Sequence, residues 1–73
     1  MKYIAEYTVE FVGGLYTGSF LLPGNQMPEA GDVVRLPIKG ESTPVRVERV
    51  RLGGEHFGIQ HVELICSMGS VRP

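Results

Sequence analysis

The sequence predicts an all-β fold, a small five-stranded and strongly bent antiparallel barrel. Three observations point there. Apolar residues alternate with period two rather than recurring at helical spacing. Ten glycines and five prolines fall mostly between the alternating runs, where they act as corners. The 42% hydrophobic content separates the 73-residue chain from a disordered linker, yet 8.0 kDa supports one domain and a modest core. Residues 1–73 are therefore read as a single barrel domain with 67–73 as a tail, too short for a two-layer immunoglobulin-type sandwich.

Residues 3–12 open the chain as a strand, with Tyr3, Ala5, Tyr7, Val9 and Phe11 on one face and Ile4, Glu6, Thr8 and Glu10 on the other. Gly13-Gly14 follows as a two-residue hairpin signal, which pairs 3–12 with a second strand at 15–22. That loop sets Phe11 against Tyr16, Val9 against Gly18, Tyr7 against Phe20 and Ala5 against Leu22, all on the apolar face. Gly18 then leaves a gap opposite Val9, suited to a close approach. Residues 23–32 hold two prolines and two glycines and read as a loop.

A three-strand meander follows at 33–38, 45–52 and 59–66. Pro37 cannot donate to a ladder, which places the third strand at an edge or a bulge. Residues 39–44 read as a polar turn. In the fourth strand the alternation changes phase between Val47 and Val50, the signature of a β-bulge at Glu48-Arg49. Pairing across a 53–58 loop sets Val45 against Cys66, Val47 against Leu64, Val50 against Val62 and Leu52 against Gln60. From Pro28 the run Pro-Glu-Ala-Gly-Asp-Val-Val-Arg-Leu, with the strands after it, resembles SH3-like barrels, in which a Gly-Asp turn often launches a strand. The resemblance implies an architecture and no function, since such barrels serve unrelated tasks.

Seven basic and eight acidic side chains give a net charge of −1, without the basic excess of a dedicated nucleic-acid binder. One cysteine, Cys66, permits no intramolecular disulfide, and no run approaches a membrane span. The start Met1-Lys2-Tyr3-Ile4-Ala5-Glu6 has an acid where a leader peptide needs an apolar run. A reducing, cytoplasmic location without membrane contact is the expectation.

Catalytic and metal chemistry find little support. Cys66 falls on the core face and His61 on the opposite one, so they cannot form a nucleophilic pair. His56, His61 and Glu63 lack metal-ligand spacing. Glu6 and Glu10 stand about 13 Å apart along a strand, too far for paired-carboxylate hydrolysis. No phosphate-cradling loop or evident small-molecule pocket appears, so neither catalysis nor a cofactor is expected.

Two surfaces remain. Ile4 and Leu21 are apolar residues on the outer face of the hairpin, and Phe57, beside His56, sits in a glycine-rich loop. Phe57 either folds back as a lid over the barrel end or serves a protein-binding surface. Arg35, Arg46, Arg49 and Arg51 lie on strands three and four. They read either as a solvated face with cross-strand ion pairs or as a phosphate-binding patch. The expected function is a non-enzymatic interaction module that binds another protein or a second copy through Phe57, His56, Ile4 and Leu21. Adaptor or inhibitor roles fit, by analogy with small accessory proteins of phages and mobile elements. The alternative is nucleic-acid binding through the four arginines.

Overall fold

Alternation in the first run folds as β1 (Lys2–Phe11), whose Ala5, Tyr7 and Val9 are buried. The computed structural model describes residues 2–68. It is all-β: β2 (Gly14–Leu21), β3 (Val33–Ile38), β4 (Glu41–His56) and β5 (Ile59–Ser67) follow β1. They form one sheet in the order β2-β1-β5-β4-β3, curled into a half-barrel. The hairpin and the meander are antiparallel, and they join through a parallel pairing of β1 with β5 that sets Lys2 beside Ile59 and Ala5 beside Val62. Residue 67 closes β5, and the Met68 amide donates to the Glu10 carbonyl (3.3 Å). The rest of the expected tail, residues 69–73, lies outside the described residues.

The hairpin faces are those expected, but the register is not. The turn is Val12-Gly13, with Phe11 opposite Gly14, Val9 opposite Tyr16, Tyr7 opposite Gly18 and Ala5 opposite Phe20. The reason lies in Tyr7. Its ring runs across the empty side of Gly18, where a Cβ would come within 2.9 Å of Tyr7 Cζ. The largest core side chain of β1 therefore takes the position that has no side chain opposite it. Beyond Gly18 the Tyr7 hydroxyl donates to the Pro37 carbonyl on β3. One side chain thus spans the opening between the two edge strands, and Pro37 does lie on an edge.

The loop after β2 is fastened to β4. Gly31 N donates to Val47 O (2.7 Å) and Val47 N donates to Asp32 O (2.8 Å), while the Glu29 amide donates to the Asp32 carboxylate (2.9 Å). The expected 39–44 turn contracts to Lys39-Gly40, with φ of 52° and 84°. β4 therefore begins at Glu41. Its register against β5 shifts between Val47 and Arg49, which is the expected bulge, and again between Leu52 and Glu55. The 53–58 loop is likewise a strand continuation closed by Phe57-Gly58, with φ of 54° and 78°. Both turns have the positive φ at two successive positions that type I′ hairpins require. Because the turn is tighter than expected, the ladder slides by two residues. Val47 faces Cys66, Val50 faces Leu64 and Leu52 faces Val62.

The core comprises Ala5, Tyr7, Val9, Leu22, Leu36, Ile38, Val45, Val47, Val62, Leu64 and Cys66. Each such side chain contributes roughly 1.5–3 kcal/mol by leaving water when it is large and aliphatic. β2 alone contributes no fully buried residue; its Tyr16 and Phe20 are only half-buried. Among the described residues, no buried side-chain polar atom lacks a partner, and no helix is long and apolar enough to cross a membrane.

Candidate protein-interaction end

The far end of the β4–β5 hairpin extends beyond the core: every residue from Arg51 to Gly58 is exposed. Its apex is Phe57, wholly exposed at 103% relative accessibility. The expectation of a lid over the barrel end is thereby overturned. A two-residue turn between His56 and Ile59 directs the first turn side chain away from the sheet. The backbone at Phe57 is left-handed, where a Cβ is disfavoured by about 1–2 kcal/mol.

Below the apex, the bulge at Gly53-Gly54 is clasped by Gln60. Its Nε2 donates to the carbonyls of Gly53 (2.9 Å) and His61 (2.9 Å). A side chain at 53 would bring its Cβ to 3.3 Å from that of His61 and 3.4 Å from its carbonyl oxygen, so glycine here permits the close approach of the two strands. His61 meets His56 edge to face, with ring centroids 5.5 Å apart, and its Nδ1 lies 3.3 Å from Glu6 Oε2. Both partners in that pair are partly exposed, which limits it to a fraction of a kcal/mol up to about 1 kcal/mol.

The parallel β1–β5 pairing sets Ile4 beside His61, and the hairpin sets Ile4 opposite Leu21. A row therefore runs Leu21, Ile4, His61, His56 across four strands to Phe57. All four residues expected to bind protein belong to one end of the molecule. His61, Gln60 and Glu6 join them, although the sequence places His61 only on the face opposite the core. Its membership follows from a pairing between the first and last strands, for which no local signal exists.

The arginines are distributed differently. Arg46 stands beside Val33 and Ser67, Arg49 beside Ile65, and Arg51 beside Glu63; Arg35 faces Pro44 and donates to Ser42 O (3.4 Å). The expected cross-strand ion pairs are not formed: among the described residues no arginine meets a carboxylate at ion-pair distance. Glu63 lies beside Glu6 on the neighbouring strand, so an acidic flank borders the arginines.

Cys66 is buried, and burial followed by the nearby Glu48 carboxylate pushes its thiol up to about 11. It stays protonated and inert at neutral pH. No group of three or more His, Cys, Asp or Glu side chains suited to a metal ion occurs among the described residues. Comparison of the chain with protein-family models, with curated proteins and with solved structures finds no match.

Proposed function

We propose that this chain is a non-enzymatic protein-interaction module of SH3-like barrel type. It acts in the cytoplasm as an adaptor or inhibitor, in the manner of small accessory proteins of mobile elements, or as a homodimer. The carrying observation is Phe57. A fully exposed aromatic at a strained backbone position gains nothing from its own fold, since it packs against none of it. Such residues are the anchors of interfaces, where one aromatic in a partner's pocket supplies much of the affinity. The row Leu21, Ile4, His61 and His56 provides a mixed apolar and polar rim next to it.

The test is capture and sedimentation with three chains: wild type, Phe57→Ala and Leu21→Glu. The wild type retains a protein partner, and Phe57→Ala weakens that complex at least tenfold, as loss of about 1.4 kcal/mol or more requires. If both substituted chains retain the partner at wild-type affinity, this end is not the interface.

A second reading is favoured by the arginines, none of which meets a carboxylate among the described residues. Arg35, Arg46, Arg49 and Arg51 are all exposed, so they are free to meet phosphates. In a salt titration, binding of single-stranded nucleic acid would then weaken with a log–log slope of about −0.7 per phosphate contacted. Absence of binding at low salt removes this reading. It ranks second because Glu6 and Glu63 border the patch and no aromatic stacking platform accompanies it.

A further inference from the structure

Among the described residues the sheet has open backbone edges at three places, and two of them carry devices that discourage pairing. β3 is six residues long and holds Pro37 and Arg35. The stretch of β4 after Val47, which pairs only with β5, is interrupted by two bulges and carries Glu48, Arg49, Arg51 and Glu55. Bulges, prolines and charges are how natural sheets blunt an edge. β2 has none of these. It is eight residues long, pairs along its length with β1, and is the one strand of the five without a charged side chain. Among the described residues β3 passes close alongside it without a backbone hydrogen bond, and the Tyr7 hydroxyl of β1, lying against Gly18, reaches the Pro37 carbonyl of β3. Leu15, Thr17, Ser19 and Leu21 are exposed along it.

The order of residues on this edge is a chemical palindrome. Reading outward from Gly18, both directions give a hydroxyl (Thr17, Ser19), an aromatic (Tyr16, Phe20) and a leucine (Leu15, Leu21). We propose that β2 pairs antiparallel with β2 of a second copy about a two-fold axis at Gly18. That register sets Thr17 opposite Ser19, Tyr16 opposite Phe20 and Leu15 opposite Leu21 of the other chain. The contacts are reciprocal, as an isologous interface demands, and here like also meets like on both faces. No like charges are brought together, because β2 has no charge to bring. The half-buried Tyr16 and Phe20 gain the cover that their own chain does not give them, in a favourable cross-strand aromatic pair. On the outer face Ile4, Leu21 and the other chain's Leu15 become one apolar strip. The two curled sheets fuse into a continuous ladder, and β2 ceases to be an edge. One strand pair is small beside the roughly 1,200–2,000 Å² of a stable interface, so the expected affinity is micromolar.

This pairing does not depend on Phe57, so it can be tested apart from the function proposed above. Sedimentation of the wild type should show a monomer–dimer equilibrium that Phe57→Ala leaves unchanged. Thr17→Lys with Ser19→Lys sets lysine opposite lysine twice on an exposed face, and should give a folded monomer by circular dichroism. The register has its own readout. Oxidation of a mixture of Thr17→Cys and Ser19→Cys chains should yield a covalent dimer, because these positions lie opposite each other within disulfide reach, while either chain alone should not. A wild type that stays monomeric to millimolar concentration, with or without another protein captured at Phe57, overturns the proposal. So does cross-linking of Thr17→Cys alone as efficient as that of the mixture.

Discussion

Tyr7 does at residue scale what a closed barrel does with a fifth ladder. Its ring fills the space above Gly18, stacks near Tyr16 at 6.4 Å between centroids, and its hydroxyl holds the edge carbonyl of Pro37. Replacing Tyr7 by Phe strips that carbonyl of its partner in a part-buried setting, at an expected cost of about 1–3 kcal/mol. Gly18→Ala should cost a similar amount, since the added Cβ would lie 2.8 Å from the Tyr7 oxygen and 2.9 Å from Cζ. Urea unfolding of the two single variants and the double variant measures both. Their costs should be less than additive, because without the hydroxyl the Phe ring can yield to the new methyl. Strict additivity would separate the two residues. Cys66 sets a second residue-scale expectation. Its folded thiol titrates at about 11 rather than its ordinary 9.0, so its contribution is full below pH 9 and is lost as pH rises through 11. Burial raises the Tyr7 phenol as well and extends the same alkaline loss. The urea midpoint should fall over that window in the wild type, and fall less in Cys66→Val. Equal slopes would show that the buried thiol is not the titrating group.

At the scale of elements, faces were legible from the sequence and registers were not. The alternation assigned to β1 holds, with Ala5, Tyr7 and Val9 buried, and Cys66 of β5 lies on the core face as expected, because side-chain direction alternates strictly along a strand. Both register errors were slips of two residues. Such a slip leaves the apolar faces matched, so hydrophobic patterning cannot detect it; only turn chemistry and the bulk of opposed side chains can. Gly18 was recognised as a gap, but which side chain fills it depended on a turn one residue earlier than the glycine pair suggested. The bulge at Glu48-Arg49 was legible because an odd slip does break the pattern. Phe57-Gly58 offers the converse test. In the matching turn, Lys39 precedes Gly40 in the same left-handed conformation, so X-Gly sequences serve this fold at both corners. Asn is far better suited than Phe to the first position of a type I′ turn. Phe57→Asn should therefore raise stability by up to about 1 kcal/mol, or several degrees in Tm, while abolishing partner binding. A stabilised chain that still binds would detach function from the aromatic, and a destabilised one would show that Phe57 packs in solution.

At the scale of the whole molecule, stability should be graded along its 36 Å long axis. The strands β1 and β5 are paired on both sides along most of their length, and between them hold six of the eleven core residues found among the described ones: Ala5, Tyr7, Val9, Val62, Leu64 and Cys66. They are also the first and last strands among the described residues, so the fold cannot gain its centre until β1 and β5 have been brought together. The price is paid at the periphery. The arm from Arg51 to Gly58 has one paired side and no buried residue, and β2 has only half-buried ones. Local opening free energies follow such differences in burial and pairing. Amide exchange should therefore be slowest in β1 and β5, at values reporting global unfolding, and fastest in the arm. β2 is the informative strand. In dilute monomer its outward amides should exchange with an exposed edge. As concentration rises through the micromolar range they should slow together, with those around Gly18 showing the largest change, while the arm stays fast. Protection of β2 that is independent of concentration would mean that β3 and Tyr7 already cover this edge within one chain. The barrel would then be complete in itself, and the palindrome around Gly18 would carry no interface.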